Sequence, residues 1–143
     1  MSSKSTVENQ KAEDKTCLAS ARAWLRRSPG PDAWSNLAAC YATRNPPDLK
    51  KARRWYRRAA LKRHDVGSFE YGIMLLEGEG GPKRPANGRR YLEHAASLGY
   101  IPALDVLAYA FSEGAYGYRR SSKRAKQFER AAQRARLAIA KRY

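Results

Sequence analysis

The dipeptide Ala-Ala occurs at Ala59-Ala60, Ala95-Ala96 and Ala131-Ala132, two steps of thirty-six residues, and a chain with such a pitch builds its fold by stacking like units. The segments closed by these pairs read ARRWYRRAA, GRRYLEHAA and AKQFERAA, so Tyr56, Leu92 and Phe128 share the same pitch. Each of the three stands four residues before the second alanine of its pair. Residues four apart lie on one face of an α-helix. A large side chain beside a small one on that face lets another helix come close.

A second helical series lies between these segments: LAACY at Leu37 to Tyr41, YGIML at Tyr71 to Leu75 and LAYAF at Leu107 to Phe111. Large residues again stand four apart, and Ala38, Gly72 or Ala108 follows the first of each pair, where one backbone must approach another. The connectors are ATRNPPD, EGEGGPKRPANG and SEGAYGYRRSS. No run alternates with period two for long enough to form a strand, so the class is all-α.

This grammar resembles the Sel-1-like repeat, a relative of the tetratricopeptide repeat with two antiparallel helices per unit. Residues 65 to 99 match that motif best, through Gly72, Met74, Gly78, Gly80, Lys83, Tyr91, Ala95, Ala96 and Gly99. Residues 33 to 63 keep Leu37, Tyr41, Ala52, Trp55, Tyr56, Ala59 and Ala60, but Asn45-Pro46-Pro47 replaces the glycine turn in the tetratricopeptide manner. Residues 101 to 134 keep Gly114, Gly117, Phe128, Ala131 and Ala132. The resemblance implies a short right-handed α-solenoid of about seven helices, first helices on the concave side and second helices outside, and it specifies architecture better than activity.

The expected organisation is a disordered tail over residues 1–10, a capping helix over 11–31, and repeats over 32–63, 64–99 and 100–143, the last with an extended C-terminal capping helix. CLASARAWLRR reads as the second helix of a unit whose first helix is absent, and it would cover the open end of the stack. Asp32 and Asp48 are expected N-caps, and Ser121-Ser122 the start of the last helix. Trp24, Trp34, Trp55, Tyr56, Tyr91 and Phe128 fall on the repeat pattern and read as core.

A chain of 143 residues can bury a core without metal or disulfides. No stretch of eighteen apolar residues occurs, so no membrane insertion is expected. MSSKSTVENQKAEDK lacks the apolar centre of a signal peptide, which reads as cytoplasmic, or as periplasmic if Met1 is not the natural start of an exported chain. Cys17 and Cys40 lie at similar distances from the Ser28 to Asp32 turn. Two buried thiols are the commoner use of such cysteines and a disulfide is the alternative. His64 and His94 stand far from both, so neither a metal site nor a cofactor is expected.

The charge is segregated. Residues 49 to 63 carry eight basic and no acidic side chains, and residues 119 to 143 carry ten basic and one acidic, so these two segments hold the whole of the net +16. Residues 64 to 118 carry four basic and seven acidic ones. Excess charge of this size either keeps a solvated face soluble or steers an acidic partner. The candidate partner-binding residues are Arg53, Arg54, Arg57, Arg58, Arg120, Lys123, Arg124 and Arg130, with Glu70, Glu77 and Tyr109 on the concave side as the competing set.

Tests for catalysis fail on the sequence. GEGGPK lacks the strand and the Gly-Lys-Ser/Thr ending of a phosphate loop. Glu93 and His94 are helical neighbours that point in different directions. The expectation is a non-enzymatic, monomeric protein-binding module, an adaptor or a small bacterial immunity-type inhibitor, that takes an acidic protein partner such as a toxin. Nucleic-acid binding through the basic helices 49–63 and 119–143 is the alternative, with only weak nonspecific binding at low salt expected.

Overall fold

Three Ala-Ala helices and their partners stack in sequence order in the computed structural model, which describes residues 2–143, with side chains from residue 4 onward. Among the described residues there are seven helices and no strand: α1 (Ser2–Arg27), α2 (Pro31–Thr43), α3 (Leu49–Leu61), α4 (Asp65–Glu77), α5 (Pro85–Ser97), α6 (Ile101–Glu113) and α7 (Ser122–Ala140). Within a unit α2 packs on α3, α4 on α5 and α6 on α7; α3 on α4 and α5 on α6 join one unit to the next, and α1 closes the end against α2.

The repeat pattern is the packing pattern. Ala59, Ala95 and Ala132 have no exposed surface, and Ala60 and Ala96 are buried beside them, whereas Ala131 is only half-buried. Leu37, Tyr41, Tyr71, Leu75, Leu107 and Phe111, the large residues of the first-helix series, are all buried. Gly72 of α4 lies against the α5 backbone, where an added Cβ would stand 3.0 Å from both the Gly88 carbonyl oxygen and the Leu92 nitrogen. Two clusters share the core, and α4 serves both, giving Tyr71, Met74 and Leu75 to one and Leu76 to the other.

The turns follow local chemistry with two departures. Asp48 caps α3 by accepting from the Lys51 N–H, and Ser121 caps α7 by accepting from the Arg124 N–H, both as their residue types favour. Asp32 does not cap α2: Pro31 opens that helix after Gly30, and the Asp32 carboxylate is engaged by His64 instead. Helix α1 begins at Ser2 and not near residue 11, so residues 4–10 are helical where a disordered tail was expected. The Gln10 side chain donates to Asp14 one turn on, and no Gly or Pro interrupts the run before Ser28.

Of the two readings left open for the cysteines, the less common one is realised. Cys17 of α1 and Cys40 of α2 form a disulfide, with their Cα atoms 5.8 Å apart, inside the range that such a bond requires. Only Cys40 is buried; Cys17, at the α1–α2 contact, stays exposed, so the premise of two buried thiols fails. The bond ties the capping helix to the stack alongside Ala21, Leu18 and Leu25, its main apolar contacts there.

Two outcomes test this packing. Ala96→Leu and Gly72→Ala each overpack a close helix approach and lower stability by about 1–3 kcal/mol, read by denaturant unfolding; unchanged midpoints would mean the thirty-six-residue pitch is not structural. Closing 23 residues of chain contributes about 3 kcal/mol, so Cys17→Ala/Cys40→Ala unfolds at lower denaturant and, unlike the wild type, is indifferent to a reductant.

Candidate protein-binding surface

The arginines of α3 divide by what they touch. Arg53 is half-buried, and its guanidinium donates from Nη1 to the Glu79 carbonyl at 3.2 Å and from Nη2 to the Pro82 carbonyl at 2.8 Å. It holds the α4–α5 loop and is not free for a partner. Arg58 lies over the Trp34 ring at 4.5 Å and near the Trp55 ring at 5.4 Å, a cation–π arrangement that fixes its direction. Arg54 and Arg57 are exposed, and among the described residues neither has a hydrogen-bonding or ionic partner.

Arg57 opens onto a groove of about 490 Å³ between α3 and α5. Ala60, Leu61 and Arg63 continue its α3 side; Asn87, Arg90, Tyr91 and His94 form its α5 side. Tyr71 of α4 lies at its base, its ring edge-on to Tyr91 with centroids 4.9 Å apart. The guanidiniums of Arg57, Arg63 and Arg90 have no partner among the described residues, and Nε2 of His94 is buried without one. Arg63, Arg90, Asn87 and His94 were absent from the sequence-derived set. The doublets Arg53-Arg54 and Arg89-Arg90 do recur at thirty-six residues, but only the stacking brings Arg57 of one unit opposite Arg90 of the next.

The second basic segment stands apart from this groove. Arg120 and Arg124 line a hollow with Phe111, Tyr118 and Ser121 at the start of α7, and the Arg124 guanidinium lies 5.5 Å from the Phe111 ring. Lys123 and Arg130 are exposed on α7 without a partner among the described residues. Farther along α7, Arg136 pairs with Asp105 of α6.

The competing acidic set is partly engaged within the fold. Burial pushes the Glu70 carboxyl above its usual range. Glu77 accepts from the Tyr116 hydroxyl at 2.9 Å, and burial, that hydrogen bond and the nearby carboxylates push the Tyr116 phenol up to about 12. Glu79 is raised too, chiefly by its hydrogen bond with Glu77. Tyr109 is 60 % exposed and free of these bonds. The aromatic residues expected in the core are also divided: Tyr56 is buried, Trp34, Trp55, Tyr91 and Phe128 are half-buried, and Trp24 is exposed.

One arrangement that the sequence did not reveal joins Ser35, His64 and Asp32. His64 caps α4: the Gly67 N–H donates to Nδ1 at 3.1 Å, so the proton sits on Nε2, which donates to Asp32 at 2.7 Å. The Ser35 hydroxyl lies 3.1 Å from the same Nδ1. That lone pair is already directed at a backbone N–H, and the buried Ser35 opens onto no groove described above, so the trio works as a joint between α2 and α4. No group of His, Cys, Asp and Glu among the described residues has the arrangement of a metal site, and no helix there is long and apolar enough to cross a membrane.

Solved structures that resemble this one include two repeat proteins. A Sel1 repeat protein from Oxalobacter formigenes superposes with a TM-score of 0.74 over 82% of the chain at 18% identity. A protective antigen of uropathogenic Escherichia coli strains, described as displaying an SLR fold, superposes with a TM-score of 0.67 over 87% of the chain at 19% identity. The chain has the Sel1-like repeat fold. It spans 47% of the first neighbour and 31% of the second. No family profile matches the sequence, and no curated protein does.

In Sel1-like terms, Arg53 and Arg89 are the same residue of successive units, and they do the same work. Arg89 donates to the Tyr116 carbonyl at 3.0 Å, gripping the α6–α7 loop as Arg53 grips the α4–α5 loop. Gly80 fits beneath the first clamp with a φ of 69°, where a Cβ would collide with the Leu49 carbonyl. Because a charged donor serves two carbonyls, Arg53→Ala costs about 1–3 kcal/mol, whereas Arg54→Ala, one residue away and unpaired, stays within about 0.5 kcal/mol of wild type. Equal unfolding midpoints for the two variants would refute the division between clamp and free surface.

Proposed function

We propose that the protein is a non-catalytic protein-binding module whose partner presents an acidic surface, acting as an adaptor or as a stoichiometric inhibitor of the immunity type. The observation that carries this reading is the sorting of the arginines. Those that serve the fold are matched to loop carbonyls, indole rings or Asp105; of those left exposed and unmatched, Arg54 and Arg57 of α3, Arg63 of the turn after it and Arg90 of α5 stand where two units meet, with Lys123 and Arg130 of α7 a second, separate group. Arginine forks pair with carboxylates through two parallel hydrogen bonds and are enriched at binding hot spots. Unmatched like charges repel each other and destabilise the compact state. The placing of Arg57, Arg63 and Arg90 around one junction between units favours a role in recognition.

A nucleic-acid partner is less favoured by the same geometry. A phosphate backbone wants a continuous cationic track and aromatic faces to stack on. Here the basic helices α3 and α7 are separated by residues 64 to 118, which carry seven of the thirteen acidic side chains, and the half-buried Trp34 and Trp55 are already covered by Arg58. The Cys17–Cys40 disulfide supports residence in an oxidising compartment such as the periplasm over the cytoplasm.

The test begins with affinity purification from the source organism and mass spectrometry of what is retained. Calorimetric titration of the recovered partner then compares Arg54→Glu/Arg57→Glu/Arg90→Glu with Glu70→Lys/Glu77→Lys. Loss of binding of about a hundredfold or more, about 2.8 kcal/mol, is expected in the first only. Loss confined to the second would place the site on the first helices. Submicromolar affinity for DNA or RNA at 150 mM salt, where purely phosphate-driven binding has fallen about 10³-fold or more from its low-salt value, would overturn the reading.

A further inference from the structure

We infer that the groove between α3 and α5 is the anchoring site of this module, and that it receives an acidic side chain flanked by an apolar one on an exposed segment of the partner protein. The inference rests on the acidic-partner reading and adds to it a place and a chemistry. Among the hollows described, this one combines three unpaired guanidiniums with a wall that is partly apolar. Arg57 and Arg63 stand on one side and Arg90 on the other, so a carboxylate between them meets forks from both helices. Asn87 adds an amide with no partner among the described residues, able to donate to the same carboxylate or to a backbone carbonyl.

The apolar half of the site lies beside the charges. Leu61 is 55% exposed at the groove's edge, and Ala60, Tyr71 and Tyr91 form the surface below it. An exposed leucine next to two tyrosine rings offers little to a free inorganic anion. It suits an aliphatic side chain carried by the chain that carries the carboxylate. Nε2 of His94 lies buried in the α5 wall without a hydrogen bond, a state native interiors largely avoid.

The rest of the basic surface is different in kind. The hollow at the start of α7 is lined by Arg119, Arg120 and Arg124, but the last of these already lies against the Phe111 ring, and all three come from the loop and first turn of a single helix. The α3–α5 groove is built by two units, so its width is set by the stacking of the solenoid. A site that spans two repeats is rigid for the reason that the stack is rigid.

The probe is a capped peptide, acetyl-Glu-Leu-Glu-Leu-Glu-amide, titrated into the full chain at 150 mM salt while amide and arginine side-chain resonances are followed by NMR. Saturable shifts are expected at Arg57, Arg90, Asn87 and His94. Arg57→Ala/Arg90→Ala should weaken binding by about tenfold or more, with its circular dichroism and unfolding midpoint unchanged because neither side chain has a partner to lose. Arg120→Ala/Arg130→Ala should bind as wild type does. Loss in the α7 variant alone would overturn the groove assignment and leave the acidic-partner reading standing, whereas no binding of the peptide to any basic surface would count against both. Displacement of the peptide by inorganic phosphate at equal concentration would show a simple anion site, and tighter occupation of the groove by an oligouridylate would show a nucleic-acid site; either result overturns the inference.

Discussion

The close approach of helices over alanine and glycine is the constraint on which the rest of this molecule depends. Ala59, Ala95 and Ala132 have no exposed surface, and Gly72 lets α4 and α5 meet backbone to backbone. Interiors are packed nearly as densely as organic crystals. A position with no spare volume therefore fixes the distance between two helices and, through them, the width of every groove on the surface. The α3–α5 groove inherits its width from these contacts, since Ala60 and Tyr71 at its base belong to the same core cluster.

The connectors would be loose without the arginine clamps. Glycine-rich loops such as GEGGP have little apolar surface to bury and lose much conformational entropy on ordering. Arg53 and Arg89 offset that cost by giving charged donors to carbonyls of the following loop, one unit ahead in the sequence. At the open end the same task passes to other chemistry. Asp14 of α1 accepts from the Asn45 N–H at 3.1 Å, and the disulfide from Cys17 to Cys40 lies one helical turn away. In each case the second helix of one unit holds the connector of the next, so order passes along the stack by nearest neighbours.

A high net charge thus has two components that composition alone merges. Some arginines are internal fittings: Arg53, Arg58, Arg89 and Arg136 each have a defined partner in the fold. Others have none, and three of these, Arg57, Arg63 and Arg90, gather where two units meet. The distinction matters for any substitution. Removing an engaged arginine loosens a loop or uncovers an indole, whereas removing an unmatched one relieves repulsion and acts chiefly on what binds.

The architecture was legible in the sequence because a solenoid is close to one-dimensional: its period, its small residues and its turn glycines are all written at short range, and each unit repeats the same instruction. The N-caps Asp48 and Ser121 were legible for the same local reason. Asp32 was not, since its carboxylate is claimed by His64 from the next unit. The Cys17–Cys40 bond could be weighed from similar distances to a turn but not decided, because the exposure of Cys17 depends on how α1 seats against α2. The candidate surface was half visible. Sequence placed the positive charge on α3 and α7, yet the mates of Arg57 are Arg63, Arg90 and His94, two of them a full unit away, and only helix stacking sets them around one groove. Local pattern determined the elements and their order; side-chain engagement across units, a matter of three-dimensional neighbours, decided which charges are left to recognise a partner.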